Sequence, residues 1–108
     1  MNDHTISRRV KVVNEQGLHM RPLDLFVRCA SQFDSEVFVT SDTERADGKS
    51  ILAILTLNAK KDTQLLIEAT GQDAEMALTA LVELVESGFP EKESEDPKEN
   101  TEDTERDP

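Results

Sequence analysis

Residues 17–33 read GLHMRPLDLFVRCASQF, and the fold turns on where the helix in this stretch begins. Leu23, Phe26, Val27, Ala30 and Phe33 recur at helical spacing, which predicts an amphipathic helix with that stripe toward a core. Pro22 is tolerated only in its first turn, because proline lacks an N–H and clashes with the preceding turn deeper in a helix. The helix therefore starts close to His19. Before it, Asn14-Glu15-Gln16-Gly17 reads as a turn, and Gly17 gives the backbone freedom for a tight approach.

On either side of this helix the hydrophobic period changes. Val10 and Val12 alternate with polar neighbours within residues 6–14, as a strand would. SEVFVTS, residues 35–41, alternates Val37 and Val39 with Glu36, Phe38 and Thr40 and reads as a second strand. Asp42-Thr43 looks like a hairpin turn leading to a short, polar, edge-like strand over residues 44–47. Asp47-Gly48 is another turn, after which Ser50 can cap a short helix over residues 51–55. Residues 58–62 read as a loop. Residues 63–70, with Leu65, Leu66 and Ile67, form a fourth strand. Gly71-Gln72-Asp73 opens a last helix, with Asp73 as its cap and Ala77, Leu78, Leu81, Leu84 and Val85 as its apolar stripe. The order is β-α-β-β-α-β-α. It predicts an α+β two-layer domain, one antiparallel sheet with helices on one face and the other face open to water.

The 108 residues suit one domain with a modest core. Cys29 is the single cysteine, so no internal disulfide can form, which fits a reducing compartment. The first residues carry no apolar leader, and the longest apolar run, ILAIL at residues 51–55, is far too short to cross a bilayer. A soluble, cytoplasmic protein without membrane insertion is expected. The formal net charge of -11 disfavours nucleic acid as a partner. The acid is concentrated: residues 91–108 hold nine acidic and three basic residues, two prolines and no apolar residue. Such a segment cannot bury enough surface to offset its ordering entropy. The expected division is a folded domain over residues 1–90 and an acidic, disordered tail over residues 91–108, with His4 a flexible residue near the N-terminus.

The chemistry centres on His19. A helix N-terminus presents unpaired N–H groups and the positive end of the helix dipole, which favours anions. Arg21 adds a guanidinium suited to gripping phosphate oxygens. An imidazole near neutral pH keeps a substantial neutral fraction, and a neutral ring nitrogen is a nucleophile that can form covalent intermediates. The remaining equipment for phosphoryl transfer from a nucleotide, metal ligands and a phosphate-cradling loop, has no convincing counterpart. Gly48-Lys49-Ser50 resembles the end of a P-loop, but Thr43 stands where that motif needs glycine. A nucleophile with an anion cradle and no metal or cofactor suits a carrier whose catalytic groups sit on its partners, although a histidine before a helix can also be a plain surface residue.

Several segments together resemble HPr, the histidine-containing phosphocarrier family of the phosphoenolpyruvate-dependent sugar phosphotransferase system. They are NEQGLHMRP at residues 14–22, Phe26-Val27, Ala30 with Phe33, Gly48-Lys49-Ser50-Ile51, Thr56-Leu57 with Ala59, and Gly71-Gln72-Asp73, in the family's order and spacing over roughly residues 7–89. The resemblance implies a four-stranded antiparallel sheet with three helices on one side, and a monomer. It implies that His19 carries a phosphoryl group, that Arg21 helps to hold it, that enzyme I is the donor and that enzyme IIA domains are the acceptors. Ser50 matches a serine that HPr kinase/phosphorylase modifies in many bacteria, so regulatory phosphorylation there is a second expectation beside simple capping. A mainly regulatory protein acting through phosphorylated Ser50, with little transport flux, is the alternative. Docking is expected on an apolar patch beside the histidine, from Met20, Asp24, Leu25, Ile51, Leu52 and Leu55, with Leu23 turned into the core. Leu25 and Cys29, four apart and off the core stripe, are expected to form part of an exposed apolar face.

The chain departs from the family at Met20, at Leu23-Asp24 where Ala-Ala is common, at Asp47, at Asn58 and in its acidic tail. Asp24 bears on partner choice. The resemblance also implies that the last helix ends near the histidine, so that tail charges compete for Arg21.

Overall fold

The computed structural model describes residues 5–90. Among these, seven elements follow the expected order: β1 Thr5–Lys11, α1 Met20–Ala30, β2 Glu36–Ser41, β3 Glu44–Asp47, α2 Ile51–Leu55, β4 Gln64–Thr70 and α3 Ala74–Glu86. The strands form one antiparallel sheet in the order β1-β4-β2-β3. The tail and His4 lie outside the described residues.

The register explains the core. Val10 is opposite Leu65, and Ile67 is opposite Val39, which is in turn opposite Ala46. Strand residues alternate between faces, so these side chains share one face, and all of them are buried. Leu23, Phe26 and Ala30 of α1 and Ala74, Ala77, Leu78, Leu81, Val82 and Val85 of α3 close over that face. The opposite face meets solvent. There the Arg45 guanidinium stacks on the Phe38 ring at 3.9 Å and lies 3.5 Å from the Glu68 carboxylate.

Four sequence expectations need adjustment. Val27 and Phe33 are only half-buried, because they sit on the flank of the α1 stripe and pack against the edge of the core. Leu84 is half-buried for the same reason in α3, and Val82 takes a core position beside the expected stripe. Leu25 and Cys29 are half-buried rather than exposed: α3 packs against α1, and together with Ala80 and Leu84 they line a shallow groove between the two helices. Burial pushes the Cys29 thiol up, away from the thiolate form.

The fourth concerns Asp73. It occupies the residue before α3, but its side chain makes no capping bond there. Its backbone (φ -101°, ψ 24°) lacks the extended shape that aims a capping side chain at its own helix. The carboxylate instead crosses to the α1–β2 loop and accepts from the Asp34 N–H and the Ser35 N–H, each at 2.9 Å, and from the Ser35 hydroxyl. These donors, the Ser35 hydroxyl foremost, hold the Asp73 carboxyl below the usual carboxylate range.

Candidate phosphoryl-acceptor site

Gly17 fixes the approach to α1. It adopts φ +71°, and a Cβ there would stand 2.5 Å from the Ala59 oxygen and 2.8 Å from the Lys60 Cα. The loop is clamped on the same segment by Leu18 N–H donating to the Ala59 carbonyl at 2.9 Å. Val12 holds the other side, donating to Thr63 O at 2.9 Å and accepting from Asp62 N–H at 2.7 Å. Asn14 closes the turn from within: its Nδ2 donates to the Gly17 carbonyl, and its Oδ1 is buried without a partner among the described residues.

His19 is the N-cap residue of α1, in extended conformation. Its carbonyl accepts from Leu23 N–H at 3.0 Å, while its ring makes no capping bond and is exposed. The first N–H groups of a helix have no intrahelical acceptor. Here those are Met20 and Arg21, since Pro22 has none to offer. Arg21 is exposed and lines the same depression as His19, a cavity of about 270 Å³ that also includes Asn14, Glu15, Gln16 and Pro22. The Glu15 carboxylate in its wall is paired with the Lys61 ammonium at 3.0 Å.

The far wall is Gly88 and Phe89, which sequence reasoning left as the mere end of the domain. They form a Schellman turn. Phe89 N–H donates to the Leu84 carbonyl and Gly88 N–H to the Val85 carbonyl, both at 3.1 Å, with Gly88 at φ +79°. The motif turns Phe89 back into the core, where it is 4 % exposed. A glycine just past the apolar stripe of α3 was the available signal.

The other candidates fall into three places. Ser50 is the N-cap of α2 and accepts from Ala53 N–H at 3.1 Å. Met20, Leu52 and Leu55 are exposed by 56 %, 74 % and 39 % at the start of α1 and on α2, which packs against α1; Ile51 is half-buried beside them. Asp24 is paired with Arg28 one turn on, at 2.9 Å. Leu25 lies on the α3 side of α1, in the groove with Leu84, and so apart from the α2 side. Among the described residues no group of three or more His, Cys, Asp or Glu could hold a metal ion, and no helix is long and apolar enough to cross a membrane.

A family model described as the PTS HPr component phosphorylation site matches residues 6–87. The chain belongs to the HPr family. Phosphocarrier protein HPr of Neisseria meningitidis is 39 % identical over 88 residues, covering 82 % of this chain and 99 % of that one. Phosphocarrier protein NPr of Escherichia coli is 36 % identical over 88 residues, covering 81 % and 98 %. The crystal structure of an HPr from Bacillus anthracis superposes with a TM-score of 0.73 at 36 % identity, over 75 % of this chain and 96 % of that one. The four-stranded open sheet with its helices on one face is thus the HPr fold, and a phosphocarrier of the phosphotransferase system is the general role of the family.

Proposed function

We propose that this HPr-family chain carries a phosphoryl group on a ring nitrogen of His19, taken from enzyme I and given to enzyme IIA-type acceptors in the cytoplasm. The observation that carries the reading is the exposed imidazole of His19 at the N-terminus of α1, in one depression with the Arg21 side chain. The lone pair of the ring nitrogen attacks phosphorus while the bond from phosphorus to the donor breaks. The new anion then rests against the helix dipole and within reach of a guanidinium fork. Exposure is part of the design, because both donor and acceptor must reach the same nitrogen. The groups that activate and orient the transfer come from those partners, so the chain has no turnover of its own. Met20, Leu52 and Leu55 supply apolar surface for docking, with Ile51 at its edge, and Asp24 adds a charge that tunes the choice of partner.

Ser50 is proposed as a regulatory acceptor for an HPr kinase/phosphorylase. Its hydroxyl already faces the amides at the start of α2, where a phosphate of about two negative charges would be tolerated by the fold and felt by docking partners.

One labelling experiment tests both readings. The full chain is incubated with enzyme I and labelled phosphoenolpyruvate, and separately with the kinase and labelled ATP. The expected first label is acid-labile and absent in His19→Ala. The expected second label is acid-stable and absent in Ser50→Ala. If enzyme I labels another HPr but not this chain, the carrier reading fails. A label only from the kinase makes the protein mainly regulatory.

A further inference from the structure

One side chain grips the backbone that leads to His19. Gly17 N–H donates to the Asn14 carbonyl at 3.0 Å, and Asn14 Nδ2 donates back to the Gly17 carbonyl. The same carbonyl accepts from His19 N–H at 3.1 Å. The peptide plane between residues 17 and 18 is thus held at both edges. Its N–H edge is tied to Ala59, and its C=O edge is tied to the Asn14 amide. A plane held at the N–H edge alone would swivel about that bond, and a glycine, having no Cβ, does little to resist. The His19 amide would follow, because it hangs on the oxygen that moves.

Stability alone does not call for an asparagine here. Asn14 is half-buried, and its Oδ1 is shut away without a partner among the described residues. A buried acceptor with no donor detracts from the folded state. What the amide contributes is a donor aimed at the Gly17 carbonyl, in the wall of the depression that holds the imidazole. The His19 ring makes no capping bond that would fix it independently, so its place is inherited from this backbone. Placement of a nucleophile matters steeply, since an error of about 1 Å can slow a transfer by about a hundredfold.

We propose that Asn14 is a positioning residue for phosphoryl transfer: through the Gly17 carbonyl its side-chain amide sets the His19 backbone, and with it the line along which the ring nitrogen meets phosphorus. Asn14 touches neither donor nor acceptor in this role. It acts on the rate of the transfer and leaves docking alone, because Met20, Leu52 and Leu55 stand apart from the turn it closes. The role rests on His19 as the phosphoryl acceptor.

The test uses the full chain and Asn14→Leu, which keeps the size of the side chain, removes the donor and adds no charge. Loading by phosphorylated enzyme I is followed over a range of chain concentrations. The maximal rate should fall roughly tenfold to a hundredfold, while the half-saturating concentration stays put. The urea midpoint should stay level or rise, because the orphaned oxygen is gone. Amide NMR of the unphosphorylated proteins should show Gly17 and His19 displaced, with Val27 and Arg28 further along α1 in place. An unchanged maximal rate, or an undisplaced His19 amide, overturns the proposal. Should the midpoint fall as well, Ser35→Ala supplies the comparison. It breaks the hydroxyl bond to Asp73, at the start of α3 and away from the depression that the end of α3 walls. That variant should load at the natural rate; if it is slowed as much as Asn14→Leu, the effect is one of stability and the positioning role is refuted. The carrier reading fails differently. If active enzyme I labels another HPr and not the natural chain, that reading falls and this role with it, whereas equal rates in chains that do load remove only the role of Asn14.

Discussion

At Gly17 a single missing methyl group sets the position of the site. A side chain there would collide with backbone atoms of residues 59 and 60, and the residue already sits in left-handed space. Gly17→Ala is expected to lower stability by at least about 2 kcal/mol, since the left-handed conformation alone costs about 1–2 kcal/mol for an alanine. Urea unfolding followed by far-UV circular dichroism measures it, the chain having no Trp or Tyr to report by fluorescence. A loss below about 0.5 kcal/mol would mean that the loop simply moves aside. The sequence showed His19, Arg21 and Gly17 as a unit because their spacing along one turn and one helix start is local. It did not show Asn14 as the turn's inner clamp, nor Phe89 as part of the wall, because both depend on which distant segments fold over them.

At the level of elements, α1 was legible nearly to the residue. Pro22 fixed its first turn, and a wide apolar stripe fixed its inner face. Its outer face was harder. Helical periodicity places Leu25 away from the core centre but cannot say that α3 will arrive on that side, which decides between exposure and a groove. Asp73 shows the same limit, for a capping residue was read where a cross-link between elements exists. That cross-link has a pH signature. The folded-state pKa of Asp73 is depressed, so its stabilising contribution is present above the ordinary carboxylate value of 3.8 and is lost as pH falls through the lower folded value. Asp73→Asn should therefore be less stable than the natural chain near neutral pH, with the gap closing below about pH 4. Urea midpoints at neutral and acid pH report it. A gap of the same size at both would show that charge has no part in the clasp.

For the whole molecule the decisive fact is that β4, late in the sequence, runs between β1 and β2. Strand patterns told which residues face inward, and the helix-strand order told how many layers to expect. The neighbour of each strand was not readable from periodicity, because pairing across about sixty residues leaves no local trace. It came only with the structure. Such a sheet ties both halves of the chain into one cooperative unit. Ile67, fully buried on β4 and paired to Arg8 on one side and Val39 on the other, is where that unit is held. Ile67→Ala should cost about 2–5 kcal/mol, a large share of the total for a domain of this size. Hydrogen exchange should then accelerate together in β2 and α3. Protection that survives in α3 while β2 exchanges freely would mean two separable units.

The length of α3 has a consequence of its own. Adding or removing one residue in a helix turns everything beyond it by about 100° and shifts it by about 1.5 Å. Because Gly88 and Phe89 both end that helix and wall the histidine's depression, such a change would swing the wall aside. In that sense α3 works as a measured spoke whose turn count sets where the wall of the depression stands.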